Sequence, residues 1–270
     1  MIVFPNAKIN IGLNVVANRS DGYHDLETVF YPVGICDVIE LTPAGERTTF
    51  ACHPPLDGCP DADNLVMRAV ESIRRDFDIP HLAIDLVKRI PSGAGLGGGS
   101  ADATFTLRCL NDLFSLGLDD EALEARAARL GADCPFFVRN RPVFATGTGN
   151  VFTPVQLSLH GWHIVVVKPD IFVSTREAFS QVVPRPAPRS LADDVRLPVE
   201  EWRHVIGNDF EPGVFAIHPK IGEIKEQLYA AGAAYASMSG SGSAVYGLFK
   251  KPACNVGGLF KGCYIWTSEL

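Results

Sequence analysis

A glycine-rich stretch is the first part of the sequence whose residue types point to chemistry. Residues 90–103 read IPSGAGLGGGSADA, with five glycines between positions 93 and 99. Ordering a glycine costs about 0.5–1 kcal/mol more than ordering an alanine, so a run of glycines requires a reason. Between a strand and a helix, bare backbone amides and the positive helix end can hold phosphate oxygens. The stretch therefore predicts an anion-binding loop, and a flexible hinge is the alternative.

Two known glycine patterns overlap this stretch, and each fits incompletely. The dinucleotide fingerprint G-x-G-x-x-G begins at Gly93, but it also requires an acidic residue about 20 positions further on, after the next strand. Asp119 and Asp120 lie near that distance and instead open a predicted helix. The phosphate-loop pattern G-x-x-x-x-G-K-[ST] also begins at Gly93, with Gly99 in the place of the lysine. The second pattern fits better, and it needs a cation from another segment.

Lys8 is the candidate for that cation, because it lies in a segment that alternates between two faces. The apolar face is Ile9, Ile11, Leu13 and Val15, and the polar face is Lys8, Asn10, Gly12 and Asn14. This alternation predicts a half-buried strand whose polar face is exposed. Most lysines in such positions are merely solvated. Asparagine and glycine are poor strand formers, so we interpret this face as one shaped for a ligand.

Asp133 is the candidate carboxylate. It lies in GADCPFF, residues 131–137, at the end of a predicted helix and between apolar residues. An aspartate in this position is commonly a turn residue and nothing more. In a low-dielectric pocket near a lysine, it could accept a proton from a hydroxyl nucleophile. The residues alone leave both interpretations open.

The surrounding pattern predicts the elements that position these residues. Strands are expected around 8–15, 26–33, 37–44, 82–90, 142–147, 162–169 and 244–249. Helices are expected around 65–77, capped by Asp63 or Asn64, around 100–114, capped by Ser100 or Asp102, and around 121–130, 174–182 and 219–231. The proline-rich stretch 183–189 is expected to be an extended loop. Strands and helices do not alternate strictly, which predicts an α+β fold.

Composition argues against several classes of protein. The chain has 270 residues and a net charge of −7, which disfavours a nucleic-acid partner because phosphate backbones require clustered positive charge. No signal peptide and no apolar run of about 18 residues is recognisable, so no membrane partner and a cytoplasmic location are expected. The seven cysteines are scattered without a C-x-x-C pair. This pattern predicts reduced thiols rather than disulfides or a zinc site.

Three segments together resemble the motifs of the GHMP kinases. They are AKIN…L (7–13), PSGAGLGGGSADA (91–103) and MSGSGSAVYGLF (238–249). The phosphate loop of that family lacks a lysine, which matches Gly99 in this chain. The resemblance implies two α+β domains. A ribosomal S5 domain 2-like domain with the ATP phosphate loop is expected at 1–150, and a ferredoxin-like domain at 151–270.

Further segments narrow the resemblance within the family. They are SDGYHDLETVF (20–30), DNLVMRA (63–69) and GADCPFFV (131–138). They are similar to a member that acts in the non-mevalonate route to isoprenoid precursors. This resemblance implies ATP-dependent phosphorylation of the 2-hydroxyl of a small molecule, CDP-methylerythritol. Mg²⁺ is expected with the ATP, held mainly by phosphate oxygens and water, with Ser100 as a candidate ligand that is not assigned.

The resemblance also implies roles for individual residues. Lys8 would stabilise the transferring phosphoryl group, and Asp133 would deprotonate the hydroxyl. Substrate binding is implied for Asn10, Tyr23, His24 and Phe179; the two aromatics Tyr23 and Phe179 would stack on the cytosine, and His24 would hydrogen-bond to it. ATP binding is implied for Asn64, Pro91, Gly95, Leu96, Gly97, Gly98, Gly99 and Ser100. The cluster 239–243 would line the substrate end of the site, although Ser243 stands where this motif usually has proline.

Two other functions stay open from the sequence. A different GHMP enzyme would phosphorylate another alcohol, or an acid, and would not bind a cytidine nucleotide. A non-catalytic member of the superfamily would bind ATP as a ligand sensor, without turnover. The presence of both Lys8 and Asp133 argues against the sensor.

Overall fold

The computed structural model describes residues 1–56, 58–253 and 256–270, so that Cys254 lies outside the described residues. The strands in the described part are β1 (Ile2–Val3), β2 (Asn6–Asn18), β3 (His24–Cys36), β4 (Val38–Ala44), β5 (Thr49–His53), β6 (His81–Val87), β7 (Val143–Thr146), β8 (Val151–Pro154), β9 (His163–Lys168), β10 (Tyr235–Met238), β11 (Val245–Phe249) and β12 (Tyr264–Glu269). The α-helices are α1 (Leu65–Arg74), α2 (Gly98–Leu113), α3 (Asp120–Ala128), α4 (Phe136–Arg139), α5 (Thr175–Ser180), α6 (Leu191–Asp194), α7 (Val199–Val205), α8 (Glu211–Ile217) and α9 (Pro219–Ala230). Short 3-10 helices cover Asp61–Asp63 and Val256–Gly258.

The strands form three sheets with mostly antiparallel pairs. The strand orders are β1-β4-β6-β5, β2-β3-β7-β8 and β10-β11-β9-β12. In the first sheet, β4 runs antiparallel to β6, whereas β5 runs parallel to it. Antiparallel sheets with helices in separate layers are typical of α+β proteins, which confirms the predicted fold class.

The chain divides into two compact units, each assembled from separate stretches of sequence. Unit 1 comprises Met1–Ala7, Ile35–Ser92 and Gly97–Arg141. Unit 2 comprises Lys8–Gly34, Gly93–Leu96 and Pro142–Leu270. The expected domains 1–150 and 151–270 are continuous stretches, and that division stays a prediction.

Unit 1 has an apolar core formed by α1 and α2 with strands β4 and β6. The α1 residues that the helical period places on one face, Val66, Ala69, Val70 and Ile73, are each 0% exposed. Their cluster also contains Ile39, Leu41, Leu82, Ile84, Leu107 and Leu110. The side-chain oxygen of Asn64 accepts a hydrogen bond from the Val66 N–H at 2.9 Å. This bond confirms Asn64 as the cap of α1.

Unit 2 has its own core, where α9 packs on strands β10 and β11. Ile221, Ile224 and Leu228 lie on one face of α9 and are at most 2% exposed. They share a cluster with Val165, Val167, Ala236, Met238 and Val245. The strand and helix residues together bury one continuous apolar face, which is the main source of stability for such a layer.

The predicted cap of α2 is wrong. The helix begins at Gly98 after Gly97, whose φ is +72° and which has no side chain to cap the helix. Ser100 and Asp102 are therefore inside the helix. Glycine adopts this left-handed conformation at little cost, and Asp102 accepts a hydrogen bond from Lys88 at 2.7 Å instead.

The predicted exposure of the polar face of β2 is also wrong. Lys8 and Asn10 are each 3% exposed, and the strand is buried on both faces from Ala7 to Leu13. Buried polar side chains require hydrogen-bond partners. Neighbouring parts of unit 2 supply those partners and cover the face.

Several short elements have no clear signal in the sequence. The strands β1, β5, β8 and β10 and the helices α4, α6, α7 and α8 span between 2 and 7 residues each. A period of 2 or 3.6 residues cannot be recognised over so few positions. The proline-rich stretch 183–189 contains neither helix nor strand, as expected.

Among the described residues, Cys52, Cys59, Cys109, Cys134 and Cys263 form no disulfide. In the described part of the chain, no helix combines the length and the apolar character needed to cross a membrane.

Truncating a core residue of β6 tests the packing of unit 1. We expect Ile84→Ala to lower the free energy of unfolding by about 2–5 kcal/mol, because it leaves a cavity at a site that is 1% exposed. Val87→Ala on the same strand is the matched control, since Val87 is 38% exposed and should lose about 1 kcal/mol or less. Urea unfolding with an unchanged m-value measures both. Equal losses would contradict the described core.

Candidate active site

Lys8 is held inside unit 2 by a polar network on strands β2 and β3. Its ammonium donates a hydrogen bond to the Asn10 side-chain oxygen at 2.6 Å and lies 4.6 Å from the centre of the Phe30 ring. The Asn10 amide donates in turn to the Thr28 hydroxyl at 3.0 Å, and that hydroxyl donates to the Gly12 carbonyl at 2.6 Å. The chain of bonds fixes the position of one buried cation.

The beginning of the glycine loop lies beside this network. The Lys8 N–H donates to the Leu96 carbonyl at 2.9 Å. The Ser239 hydroxyl donates to the Gly95 carbonyl at 2.9 Å and accepts from the Asn10 N–H at 3.2 Å. Unit 2 therefore brings together residues of all three segments that resemble the family motifs.

The backbone at Gly95 leaves no space for a side chain. A Cβ atom built there would lie 1.9 Å from the Ser239 carbonyl oxygen, and the φ of Gly95 is +76°. Both the contact and the dihedral angle require glycine. Nearby, the Ala244 N–H donates to the Ala94 carbonyl at 3.1 Å, so the loop is joined to the 239–244 segment at two points.

Ser243 has a local role although the motif usually has proline at this position. Its side chain is buried, and its hydroxyl donates to the Ile171 carbonyl at 2.5 Å. The next residue, Phe172, is 70% exposed and lies over Gly93, where a Cβ would come within 2.8 Å of the ring. The serine thus ties the segment after β9 to the 239–243 turn.

The second half of the glycine loop forms the N-terminus of α2 in unit 1. The first intrahelical bond runs from the Ala101 N–H to the Gly97 carbonyl at 2.9 Å, so the N–H groups of Gly98, Gly99 and Ser100 have no acceptor within the helix. No side chain caps this end. Unsatisfied amides at the positive end of a 16-residue helix are suited to bind an anion.

Asp133 lies in a turn that packs against the start of α2 in unit 1. The turn is closed by a bond from the Cys134 N–H to the Gly131 carbonyl at 3.2 Å, and the Thr104 hydroxyl donates to the Cys134 carbonyl at 2.8 Å. Burial raises the pKa of the Cys134 thiol to about 11, so the thiol is neutral next to Asp133. A Cβ on Gly131 would lie 3.9 Å from the Ser100 hydroxyl, which places this turn near the predicted phosphate site.

The predicted cytosine-binding residues are found together in unit 2. The rings of His24 and Phe179 are stacked, with centroids 4.5 Å apart and an interplanar angle of 15°. Phe179 also meets Phe210 edge-on at 4.8 Å. Tyr23 is 66% exposed next to them, after a turn at Asp21-Gly22 in which the Tyr23 N–H donates to the Asp21 carboxylate at 3.1 Å.

The other predicted ATP ligands belong to unit 1 or to the loop. Asn64 is 8% exposed, and because its side-chain oxygen caps α1, its amide nitrogen is the group left for a ligand. Pro91 is half-buried before the loop, and Leu96 is buried within it. Their roles toward ATP stay predictions.

Sequence patterns miss several residues that support the site. Thr28, Tyr246 and Asp37 are buried polar or phenolic residues inside strands or at their ends. Tyr246 donates to the Asn10 carbonyl at 2.9 Å, and Asp37 accepts from the backbone of Arg89 and Ile90. Thr28 and Tyr246 lie within ordinary strand sequences and Asp37 lies between two strands, so their contacts depend on pairings distant in sequence.

Comparison with family models identifies the class of protein. The model of the GHMP kinases N terminal domain matches residues 64–141, and the model of the GHMP kinases C terminal matches residues 197–253. With the glycine loop and the motifs joined in unit 2, these matches show that the chain belongs to the GHMP kinases. This result confirms the predicted family and fold. Kinases of this family use ATP as the phosphate donor.

The most similar relatives share one name. A 4-diphosphocytidyl-2-C-methyl-D-erythritol kinase of Parabacteroides distasonis is 53% identical over 272 residues and covers 100% of both chains. The enzyme of that name from Bacteroides fragilis is 51% identical, also over 100% of both chains. A crystal structure of 4-(cytidine 5'-diphospho)-2C-methyl-D-erythritol kinase aligns with a TM-score of 0.84 and 31% identity, with full coverage of both chains. These matches confirm the prediction that the chain is a kinase of small molecules.

The close contact at Gly95 generates a test of the loop. We expect Gly95→Ala to abolish the thermal stabilisation by Mg-ATP, because the new methyl group would displace the Ser239 carbonyl and with it the loop. Gly232→Ala is the matched control. Gly232 also has a positive φ, of +98°, but nothing lies within 4 Å of its Cβ position, so it isolates the cost of the dihedral angle, about 1–2 kcal/mol. If both variants respond to ATP alike, the contact at Gly95 does not organise the loop.

Proposed function

We propose that the protein transfers the γ-phosphoryl group of ATP to the 2-hydroxyl of 4-diphosphocytidyl-2-C-methyl-D-erythritol, releasing the 2-phosphate and ADP in the non-mevalonate route to isoprenoid precursors. The observation that carries the proposal is the buried ammonium of Lys8, held by Asn10 beside the backbone of the glycine loop. The full-length identity to relatives with this named activity supports the choice of substrate.

The ATP phosphates bind the glycine loop and the uncapped start of α2. Amides of residues 98–100 supply donors, and the helix end supplies a favourable field for negative charge. Gly97, Gly98 and Gly99 leave the backbone accessible to the phosphate oxygens. The loop itself carries no cation, so the charge that develops during transfer falls to Lys8 and to the metal ion.

Lys8 and Asp133 carry the chemistry. The Asp133 carboxylate accepts the proton of the substrate 2-hydroxyl. The oxygen then forms a bond to the γ-phosphorus while the bond from that phosphorus to the β,γ-bridging oxygen breaks, and ADP leaves with both electrons. Lys8 stabilises the negative charge on the transferring group, and Asn10 keeps the ammonium in place.

The cytosine binds beside Tyr23, His24 and Phe179. The face of Phe179 is occupied by the His24 ring, so a base that stacks on Phe179 replaces that ring. His24 would then be available for hydrogen bonds to the edge of the base, and the exposed Tyr23 would cover its other face.

Mg²⁺ accompanies the ATP and contributes charge neutralisation on its phosphates. Within residues 1–56, 58–253 and 256–270, no group of three or more His, Cys, Asp or Glu side chains could hold a metal ion by itself. The ion would be held mainly by phosphate oxygens and water, and Ser100 in the first turn of α2 is a candidate hydroxyl ligand.

Removing either catalytic group should lower turnover without unfolding the protein. We expect Asp133→Asn to reduce kcat by about 10²- to 10⁴-fold, as for loss of a general base. Lys8→Met should reduce kcat by about 10²- to 10³-fold, as for loss of a transition-state charge contact. Thermal unfolding verifies that each variant is folded.

Matched controls remove charges of the same sign at exposed positions. Asp78→Asn and Lys220→Met change an exposed aspartate and an exposed lysine, and both should retain normal turnover. Folded Asp133→Asn and Lys8→Met variants with near-normal turnover would rule out the assigned roles.

The aromatic residues should govern affinity for the cytidine nucleotide and not for ATP. We expect Tyr23→Ala to raise the KM for the cytidyl substrate by about 5- to 150-fold, which corresponds to the 1–3 kcal/mol of one stacked base. Tyr23→Phe keeps the ring and should restore most of the affinity. Titration with CDP measures the effect directly, and unchanged CDP binding in Tyr23→Ala would remove this residue from the site.

The function as a whole is tested by ADP release from Mg-ATP with three alcohols. Release only with 4-diphosphocytidyl-2-C-methyl-D-erythritol supports the proposal. Release with mevalonate or homoserine instead would keep the family and overturn the substrate. ATP binding without release in any mixture would favour the sensor.

A further inference from the structure

Three charged residues form a buried cluster at the base of the glycine loop. Lys88, directly after β6, donates to the Asp37 carboxylate and to the Asp102 carboxylate, the latter at 2.7 Å. The side chains of Lys88, Asp37 and Asp102 are 7%, 0% and 4% exposed. The proposed reaction uses none of these groups, so their burial requires another explanation.

The cluster is bonded to the backbone on the near side of the loop. One oxygen of Asp37 accepts the N–H of Arg89 at 2.5 Å and the N–H of Ile90 at 2.8 Å. These residues immediately precede Pro91, where the loop begins. Two amide donors and one ammonium on one carboxylate fix the direction in which the chain enters the loop.

The cluster also contacts the C-terminal side of the glycine loop, where α2 begins. Asp102 belongs to α2, so its bond to Lys88 ties the helix to the entering strand. A Cβ on Gly98 would lie 2.9 Å from the Ile90 side chain and 3.3 Å from the Lys88 ammonium. The helix start is therefore seated directly on the cluster, and only glycine fits there.

If Lys88, Asp37 and Asp102 are all ionised, the buried cluster carries a net charge of −1. One ammonium faces two carboxylates, and one oxygen of Asp102 has no hydrogen-bond partner among the described residues. Burial raises the pKa of Asp102 to about 7, against the opposing effect of Lys88 and with a smaller contribution from Asp37. The pKa of Lys88 is raised because the two carboxylates outweigh its own burial. Asp102 therefore takes up a proton near neutral pH.

We propose that Asp37, Lys88 and Asp102 form a positioning clamp, which holds the entry strand and the start of α2 in the arrangement that lets the loop bind the phosphates of ATP. The inference rests on the proposed binding of ATP by this loop. The three residues act through the backbone and do not touch the nucleotide, so they are positioning residues.

Variants of the clamp test this role through ATP affinity. Lys88→Met removes the central cation and should raise the dissociation constant for Mg-ATP by about 10- to 100-fold, since small displacements of a positioned group have effects of this size. Asp102→Ala should also weaken binding, by about tenfold. Asp102→Asn keeps the shape of the side chain and an oxygen that can accept the Lys88 hydrogen bond, so it should bind ATP within about twofold of the wild type. The KM for the cytidyl substrate should stay unchanged in all three.

A stability control separates positioning from general destabilisation. Ile73→Val lowers the stability of unit 1 from within its core, at a residue of α1 that is 0% exposed. It should leave ATP affinity unchanged at a temperature well below its Tm. If Lys88→Met and Ile73→Val of similar Tm bind ATP equally well, the clamp is refuted. If the wild type itself shows no ATP binding, the proposed function fails and the clamp with it.

The pH dependence of stability is a separate consequence of the buried cluster, and Asp102→Ala tests the clamp even if Lys88→Met does not fold. The charged and titratable groups that face Asp102 are Lys88, Asp37 and, on β5, Cys52, whose own pKa is raised mainly by burial. The raised pKa of Asp102 means that the folded state binds its proton more tightly than the unfolded state. Wild-type stability relative to Asp102→Asn should therefore fall as pH rises from about 4 to about 7, and then level off.

Unchanged ATP affinity in both Lys88→Met and Asp102→Ala would overturn the clamp.

Discussion

The contact between the bare backbone of Gly95 and the carbonyl of Ser239 is the constraint on which the candidate site depends. No side chain can occupy that space, so two segments separated by more than a hundred residues meet through backbone alone. Once they meet, the Ser239 hydroxyl bonds the Gly95 carbonyl and the Asn10 amide. This close approach fixes the glycine loop, strand β2 and the 238–249 segment relative to one another. Because only glycine fits at position 95, the fold accepts the higher entropic cost of ordering a glycine there.

The structure buries two lysine side chains, Lys8 and Lys88, and each has different partners. Lys8 donates a hydrogen bond to the neutral side-chain amide of Asn10, and its ammonium lies over the ring of Phe30. Lys88 forms ion pairs with the carboxylates of Asp37 and Asp102, which neutralise its charge within the fold. Hydrogen bonds and ion pairs of a buried ammonium are stronger in the low-dielectric interior than they would be in water. The arrangement around Lys88 suits a group that positions backbone.

In the proposed function, the glycine loop binds the phosphates of ATP and other segments carry the reacting groups. No side chain caps the backbone amides at the start of α2. Backbone amides at a helix N-terminus can bind phosphate without a neighbouring lysine or arginine. The side chains proposed to carry the reactive charges, Lys8 and Asp133, lie on other segments, β2 and the turn before α4. In the proposed function, this division accounts for the departure from the lysine-containing phosphate-loop pattern at Gly99.

The sequence by itself determined the family, the α+β class and the location of the loop, because glycine spacing and alternation are local signals. It also determined the cap at Asn64, which depends on adjacent residues. Only the tertiary structure decided that Lys8 and Asn10 are buried, that Gly97 rather than Ser100 or Asp102 precedes α2, and that Asp37 and Lys88 meet Asp102. Those features depend on which distant segments cover a strand or a helix end, and alternation in a single strand cannot distinguish a face turned to water from one covered by polar partners.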